Sequence, residues 1–409
     1  MSTSLVFFFA FLLAIVLSYI TVSISKFTPL NIRLPEGRRS GCIDGLRGYL
    51  ALMVAAHHYF IFYGWLQTGQ WLPPKINFIN NFGKVAVCLF FMITGYLFIG
   101  KVYKDKQASI KISWAKIYIS RVFRIFPLYL VAVAVTILYT FIVHGYQLNV
   151  TLPQLAKEIV SWLLYIGDSV NGDPDAKRIT AGVTWTLKYE WLFYLSLPLL
   201  AVFFSKKTTT ALLVVLAIAI YFSGLHVKGI DCKYIIFFVL GGLAFAIEQR
   251  YGEVLRSVIN NSAISMISVF AISFAVFFVK DPLGLLGVMS MFLFFVPVVM
   301  GNSAFGSLSG VGAVKLGEIS FSLYLLHGIL MYTILVFSID SSQLGSMNGY
   351  LIFMPLVMSA LVILSLITYK MIEKPFINFG RALVSGNSLK KICRRSAEIR
   401  DISIRAKMR

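Results

Sequence analysis

The stretch Asp44-Gly-Leu-Arg47-Gly-Tyr-Leu-Ala-Leu-Met-Val-Ala-Ala-His57-His58 decides how the chain is read. An arginine opens an apolar run and two histidines interrupt it, after which it continues through Tyr59, Phe60, Ile61, Phe62 and Tyr63 to Trp65. About twenty such residues is the length of one membrane crossing. His58 follows Arg47 by eleven positions. That is about three helical turns, so both side chains leave one helix face roughly 16 Å apart. One helix would then carry a permanent cation at its start and an imidazole near mid-membrane. Ionisable groups at that depth are costly enough to be functional hypotheses by default.

Composition sets the class. Of 409 residues, 58% are hydrophobic and 13% charged, with a mean hydropathy of +0.81. A soluble core cannot hide that much apolar surface, which implies an all-α polytopic membrane protein with the lipid bilayer as its first partner. The net charge of +20 would suggest nucleic acid in a soluble protein. Here the bias of cytoplasmic loops toward Lys and Arg explains it, and no nucleic-acid partner is expected. Cys42, Cys88, Cys232 and Cys393 are scattered without a Cys-x-x-Cys pair, so neither a disulfide framework nor a metal site is expected. Residues 4–25 are apolar, but Met1-Ser-Thr-Ser-Leu carries no basic side chain. The segment reads as an uncleaved membrane helix rather than a secretory signal.

Runs long enough to span fall at about 4–25, 46–66, 82–104, 125–145, 185–204, 208–225, 232–248, 261–279, 282–302, 318–338 and 350–370. The apolar segment near 155–166 is short and is expected in the interface or in a re-entrant loop. With loops 26–47, 101–124, 205–207, 249–260, 303–317 and the chain from Lys370 onward on one side, that side holds 28 of the 37 Lys and Arg residues, against 7 opposite. The bias places the N-terminus outside and the C-terminus in the cytoplasm of a cell-membrane protein. The outer loop 146–184 contains Gly167-Asp-Ser-Val-Asn-Gly-Asp-Pro-Asp175, rich in turn formers and acid. It is a candidate acceptor surface, or an ordinary loop. The basic tail 381–409 reads as a juxtamembrane segment on anionic lipid.

Depth arithmetic brings distant residues together. His58 lies roughly 18 Å into a span from the cytoplasmic face, and Glu190 roughly 8–9 Å into a span from outside. In a slab about 30 Å thick they reach similar depth, and a carboxylate beside an imidazole orients the ring and raises its basicity. Glu190 has an alternative in Lys188 or outer water. Arg121 and Arg124, in Ser120-Arg-Val-Phe-Arg-Ile-Phe-Pro127, share a helix face at a cytoplasmic helix end. With Arg47 they would make a cationic mouth suited to phosphates, unless they only anchor the helix. His327, in Ile319-Ser-Phe-Ser-Leu-Tyr-Leu-Leu-His327, lies near the midplane and is either a packing residue or part of the site. His144 and His226 sit at outer helix ends and read as interfacial. Glu373-Lys-Pro-Phe reads as the end of the last helix, stopped by Pro375, with Glu373 facing a loop arginine.

At these residues the chain resembles the acyltransferase 3 family, integral membrane enzymes that O-acylate cell-surface glycans. Arg47 followed by His58 is similar to the family's Arg-x10-His signature. Gly83-Lys-Val-Ala-Val-Cys-Leu-Phe-Phe-Met-Ile-Thr-Gly95-Tyr resembles the motif of its second helix. Arg121-Val-Phe-Arg124-Ile-Phe-Pro127 resembles its arginine motif, and Trp185-Thr-Leu-Lys-Tyr-Glu190 its Trp-Ser-Leu-x-x-Glu motif. Leu316-Gly-Glu-Ile-Ser320 through Tyr324 to His327, and then Glu373-Lys-Pro375, complete the set. Thr186 and Thr94 stand where Ser is usual and keep the hydroxyl. Tyr189 stands where an acid is frequent, which bears on acceptor choice.

The resemblance implies a ten-helix membrane domain over residues 42–380, preceded here by an additional helix within residues 1–30. It implies acyl-CoA, commonly acetyl-CoA, as a cytoplasmic donor substrate with no resident cofactor, and a glycan acceptor. His58 oriented by Glu190 would be the base or acyl relay. Arg47 would bind donor or stabilise an oxyanion, in a cavity shared with His58, while Arg121 and Arg124 hold the donor. Asp44, Lys188 and His327 are further site candidates. Two other classes compete. One is a transporter of acyl groups or small solutes that feeds a separate periplasmic transferase, although no repeat with broken helices is visible. The other is a non-catalytic membrane scaffold.

Overall fold

The long apolar runs fold as long helices. The computed structural model describes residues 2–32, 34, 41–205, 208–223, 226–227, 230–338 and 345–385. In chain order come α1 (Thr3–Ile24), α2 (Gly41–Thr68), α3 (Asn77–Gln107), α4 (Trp114–Val143), α5 (Leu152–Leu163), the short α6 (Ala176–Ile179), α7 (Trp185–Phe203) and α8 (Thr209–Ser223). A two-stranded hairpin, β1 (His226–Val227) and β2 (Ile230–Asp231), leads into α9 (Ile235–Ile259), α10 (Ser262–Phe277) and α11 (Leu285–Val299). Then follow α12 (Val311–Glu318), α13 (Ser320–Tyr332), α14 (Met347–Ile352), α15 (Met354–Thr368) and α16 (Lys374–Val384). Among the described residues, six helical segments are long and apolar enough to cross a membrane: Thr3–Phe27, Asn77–Gln107, Trp114–Val143, Cys232–Leu255, Ser320–Phe337 and Met354–Val384. α8, α10 and α11 are shorter apolar helices. α2 has the length, but Arg47 and the two histidines dilute its apolar character. Leu and Phe side chains exposed along α1 (Leu5, Phe9, Leu13) and α7 (Leu195, Leu199, Phe203) match a surface solvated by lipid tails, as in a polytopic membrane protein of the all-α class.

Without water to drive association, membrane helices pack where small residues let backbones approach. α3 crosses α9 in this way. A Cβ on Gly95 would lie 2.0 Å from the Phe238 carbonyl oxygen, and one on Gly241 would lie 2.0 Å from that of Met92. Buried amides satisfy helix ends that lipid cannot. Asn81 donates to the carbonyls of Ala275, Val276 and Val279 at the end of α10 (3.3, 3.0 and 2.7 Å). Asn302 donates to Ile259 at the end of α9 (2.6 Å).

The span expected at 318–338 is present as Ser320–Phe337; it is set off from α12 at Ile319, and its last turns are π-helical, Thr333–Ser338. One local reading changes. Pro375 does not stop the last helix. It sits in the first turn of α16, where its missing N–H is not needed, after a π-helical turn over Tyr369–Glu373. The short segment near 155–166 is the helix α5, which buries Trp162 and leaves Leu152 and Val160 exposed. Of the basic tail 381–409, residues 386–409 lie outside the described residues.

Candidate active site

The basic motifs converge on a cavity of about 400 Å3 between α2, α3, α4, α7 and α13. Five cations line it: Arg47 from α2, Lys101 from α3, and Lys116, Arg121 and Arg124 from α4. The two lysines are exposed and the three arginines partly buried. Arg47 is steadied by Asp44, one turn back, at 3.6 Å. The Arg121 guanidinium lies 5.0 Å from the centre of the Phe98 ring, and its buried Nε has no hydrogen-bond partner among the described residues. Ser320, which also lines the cavity, has a buried hydroxyl in the same condition. Buried polar atoms are rarely left orphaned, so this lining has donors to spare for an anionic or carbonyl-bearing ligand.

Glu190 lines the same cavity and accepts a hydrogen bond from Tyr194 Oη at 2.8 Å. The spacing i, i+4 on α7 sets that pair. The hydrogen-bond partners of His58 are others, and this corrects the expected Glu190–His58 pairing. Similar depth along two helices does not fix which faces they turn to each other. Lys188 is turned away from the cavity, with Nζ 6.0 Å from the centre of the Tyr189 ring.

His58 meets His327 instead. His327 Nε2 lies 3.1 Å from His58 Nδ1, with the rings tilted by 24°. His58 Nδ1 is also 3.1 Å from the Val54 carbonyl, and His327 Nδ1 is 3.3 Å from that of Leu323. One tautomer pair fits these contacts best. A carbonyl only accepts, so in that pair Nδ1 of each ring carries the hydrogen, which on His58 is shared between the Val54 carbonyl and His327 Nε2. His327 Nε2 is then a lone pair that accepts from His58 Nδ1–H, and His58 Nε2 is left as an unprotonated base. The opposite assignment would set two ring lone pairs against two carbonyl oxygens. The α13 helix reaches this position because Gly328 lets it touch the loop before α7; a Cβ there would lie 2.4 Å from Ala181 N. His57 has a different duty, bonding the Ile79 carbonyl at 2.9 Å to anchor the start of α3.

His58 does not line the arginine cavity, contrary to the expectation of one shared space. Tyr324 and Thr186 stand between. Their hydroxyls are 2.9 Å apart, and both reach the Val183 carbonyl, at 3.2 and 3.1 Å. The Tyr324 ring fills the gap, packing on Phe90 on one side (5.9 Å) and on His327 on the other (6.2 Å). One aromatic layer thus separates the arginine cavity from the histidine pair. Glu373 is buried and accepts from Ser322, which in turn accepts from Thr368 at 3.0 Å. The cations near enough to act on its charge are Arg124 and Arg47, both of which line the cavity.

Sequence reading missed Lys101, Lys116, Tyr324 as a partition and the pairing of the two histidines. The lysines lacked any motif, and the pairing needs the rotation of α13, which spacing does not reveal.

Comparison with known proteins identifies the family. The acyltransferase 3 family, described as an acyltransferase domain, matches residues 40–370. Nodulation protein 10 of Rhizobium leguminosarum bv. viciae is 28% identical over 193 residues, covering 44% of this chain and 50% of that protein. The chain therefore spans about half the length of that relative. No solved structure matches significantly. With most of its length matched, including the arginine cavity and the histidine pair, the chain belongs to the acyltransferase 3 family and is a multi-pass membrane protein.

Proposed function

We propose that the chain moves a short acyl group, acetyl in the first instance, from acyl-CoA to a hydroxyl of a cell-surface or exported polysaccharide or glycolipid. The observation that carries this reading is a five-cation cavity ending one aromatic layer from a histidine held through Nδ1 by a second histidine, an arrangement that suits Nε2 to take a substrate proton. Acyl-CoA is polyanionic. Arg121, Arg124, Lys101 and Lys116 suit its phosphates, and Arg47, deeper in, suits the thioester oxygen as it gains charge. The basic end then faces the cytoplasm, as the loop charges favour, and the histidine pair serves an acceptor from the other side.

In the step proposed, the Tyr324 ring moves aside so that the thioester end of the donor reaches the histidine pair, and His58 Nε2 removes the proton of the sugar hydroxyl as its oxygen attacks the thioester carbon. The C–S bond breaks, and the proton passes to the leaving thiolate, giving an O-acyl sugar and free CoA. A base of this kind is worth about 10²–10⁴-fold in rate. The imidazolium that forms keeps its Nδ1–H on His327 Nε2. Glu190 holds Tyr194 and balances the arginines of the cavity. Asp44 steadies Arg47.

The Tyr324–Thr186 layer favours one second reading, in which the chain passes the acyl group across the membrane to a separate periplasmic transferase. Mass spectrometry of surface polysaccharides from cells with and without the protein tests the first reading; loss of O-acyl mass increments is expected, and identical spectra would refute it. Liposomes loaded with labelled acetyl-CoA and no acceptor separate the two, since export of label without glycan belongs to the second.

A further inference from the structure

We propose that Trp65, Trp71 and Arg178 form the acceptor subsite, seating a pyranose ring on the indoles and its hydroxyls on the Arg178–Asp175 pair. The inference rests on the glycan-acceptor reading above. Trp71 lies in the loop between α2 and α3, and its ring is stacked toward that of His58, 6.3 Å away at 23°. It also packs edge-on against Phe62 (5.1 Å) and Trp65 (5.9 Å). Trp65, near the end of α2, stacks with Tyr332 at 5.9 Å. The Arg178 guanidinium sits 5.3 Å from the Trp65 ring centre. Arg178 pairs with Asp175 at 2.6 Å, and the Asp175 side chain is 46% exposed. Arg178 also donates to the Gly69 carbonyl at 3.5 Å, tying the 146–184 loop to the Trp71 loop.

Tryptophans at the end of a membrane helix usually serve as interfacial anchors, with the ring among lipid headgroups. These two are turned inward, Trp71 toward the His58 imidazole and Trp65 toward Tyr332, and the guanidinium of an ion pair lies over Trp65. Both indoles remain partly exposed. A pyranose ring has an apolar C–H face that fits the negative face of an indole. Its hydroxyls prefer charged partners such as a guanidinium and a carboxylate. A ring seated against Trp71 occupies the layer next to His58, where the attacking hydroxyl has to be.

The test uses the full chain in nanodiscs, labelled acetyl-CoA, and a panel of neutral and acidic hexose oligosaccharides as acceptors. Trp71→Ala and Trp65→Ala should each raise the KM for oligosaccharide about tenfold, while the KM for acetyl-CoA stays within about twofold. Trp71→Phe, which keeps a flat ring and the packing, should recover most of the loss. An oligosaccharide KM unchanged in both alanine variants would overturn the subsite and leave the glycan reading standing. So would equal rises in both KM values with no recovery in Trp71→Phe. A wild-type protein that acylates no oligosaccharide but does acylate a protein or simple lipid would overturn the glycan reading, and the subsite with it.

Discussion

Replacing His327 separates an orienting role from simple packing. In the wild type, His327 Nε2 accepts from His58 Nδ1 at 3.1 Å, and that acceptor matters most when His58 becomes an imidazolium in the reaction. A hydrogen bond to a charged group is worth about 1.5–3 kcal/mol. His327→Ala should therefore lower kcat by about 10- to 150-fold, with the donor KM little changed. His327→Gln places an amide oxygen near the former Nε2 and should recover most of the rate. The assay is transfer of labelled acetyl from acetyl-CoA by the chain in nanodiscs, with thermal unfolding measured on the same samples. His327→Ala within about twofold of the wild type in kcat, in a preparation where His58→Ala is inactive, would refute the reasoning. Equal losses in the Ala and Gln variants, tracking equal losses of stability, would reduce His327 to a packing residue.

Further outcomes follow from other parts of the structure. Arg121→Ala should raise the donor KM by about tenfold or more through loss of a charge-assisted contact, while Lys101→Ala, at the exposed rim, should give a smaller effect that fades as salt rises. Steady-state kinetics at low and high ionic strength distinguishes the two. Gly241→Leu should abolish accumulation of folded protein, because even its Cβ would sit 2.0 Å from the Met92 oxygen; detergent-resistant membrane abundance reads this directly. Tyr324→Ala should open the arginine cavity toward the histidine pair, seen as faster acetyl-CoA hydrolysis by water when no acceptor is present, and an unchanged hydrolysis rate would place the partition elsewhere.

The helical membrane architecture was legible because hydropathy alone marks segments that must satisfy their own backbone in lipid. The arginine cavity was legible because Arg47, Arg121 and Arg124 lie in the N-terminal halves of α2 and α4, whose side of the bundle the loop charges assign. The partner of His58 was not legible. Depth along α2 and α7 put Glu190 within plausible reach, but the faces those helices turn are set by close approaches such as Gly328 on Ala181, and these leave no periodic trace. Pro375 misled for a related reason: proline forbids a helix interior but suits a first turn, and the π-turn at Tyr369–Glu373 supplies a new first turn. Lys101 and Lys116 carried no signal beyond charge, which every loop on that side shares.

The central claim is that His58 Nε2 takes the acceptor proton, and the direct measurement is the O-acetyl content of surface polysaccharide, by NMR, in cells carrying His58→Ala at wild-type membrane abundance. The account predicts a fall of about 100-fold or more in acetylation rate. Acetylation at the wild-type rate in that variant would contradict it.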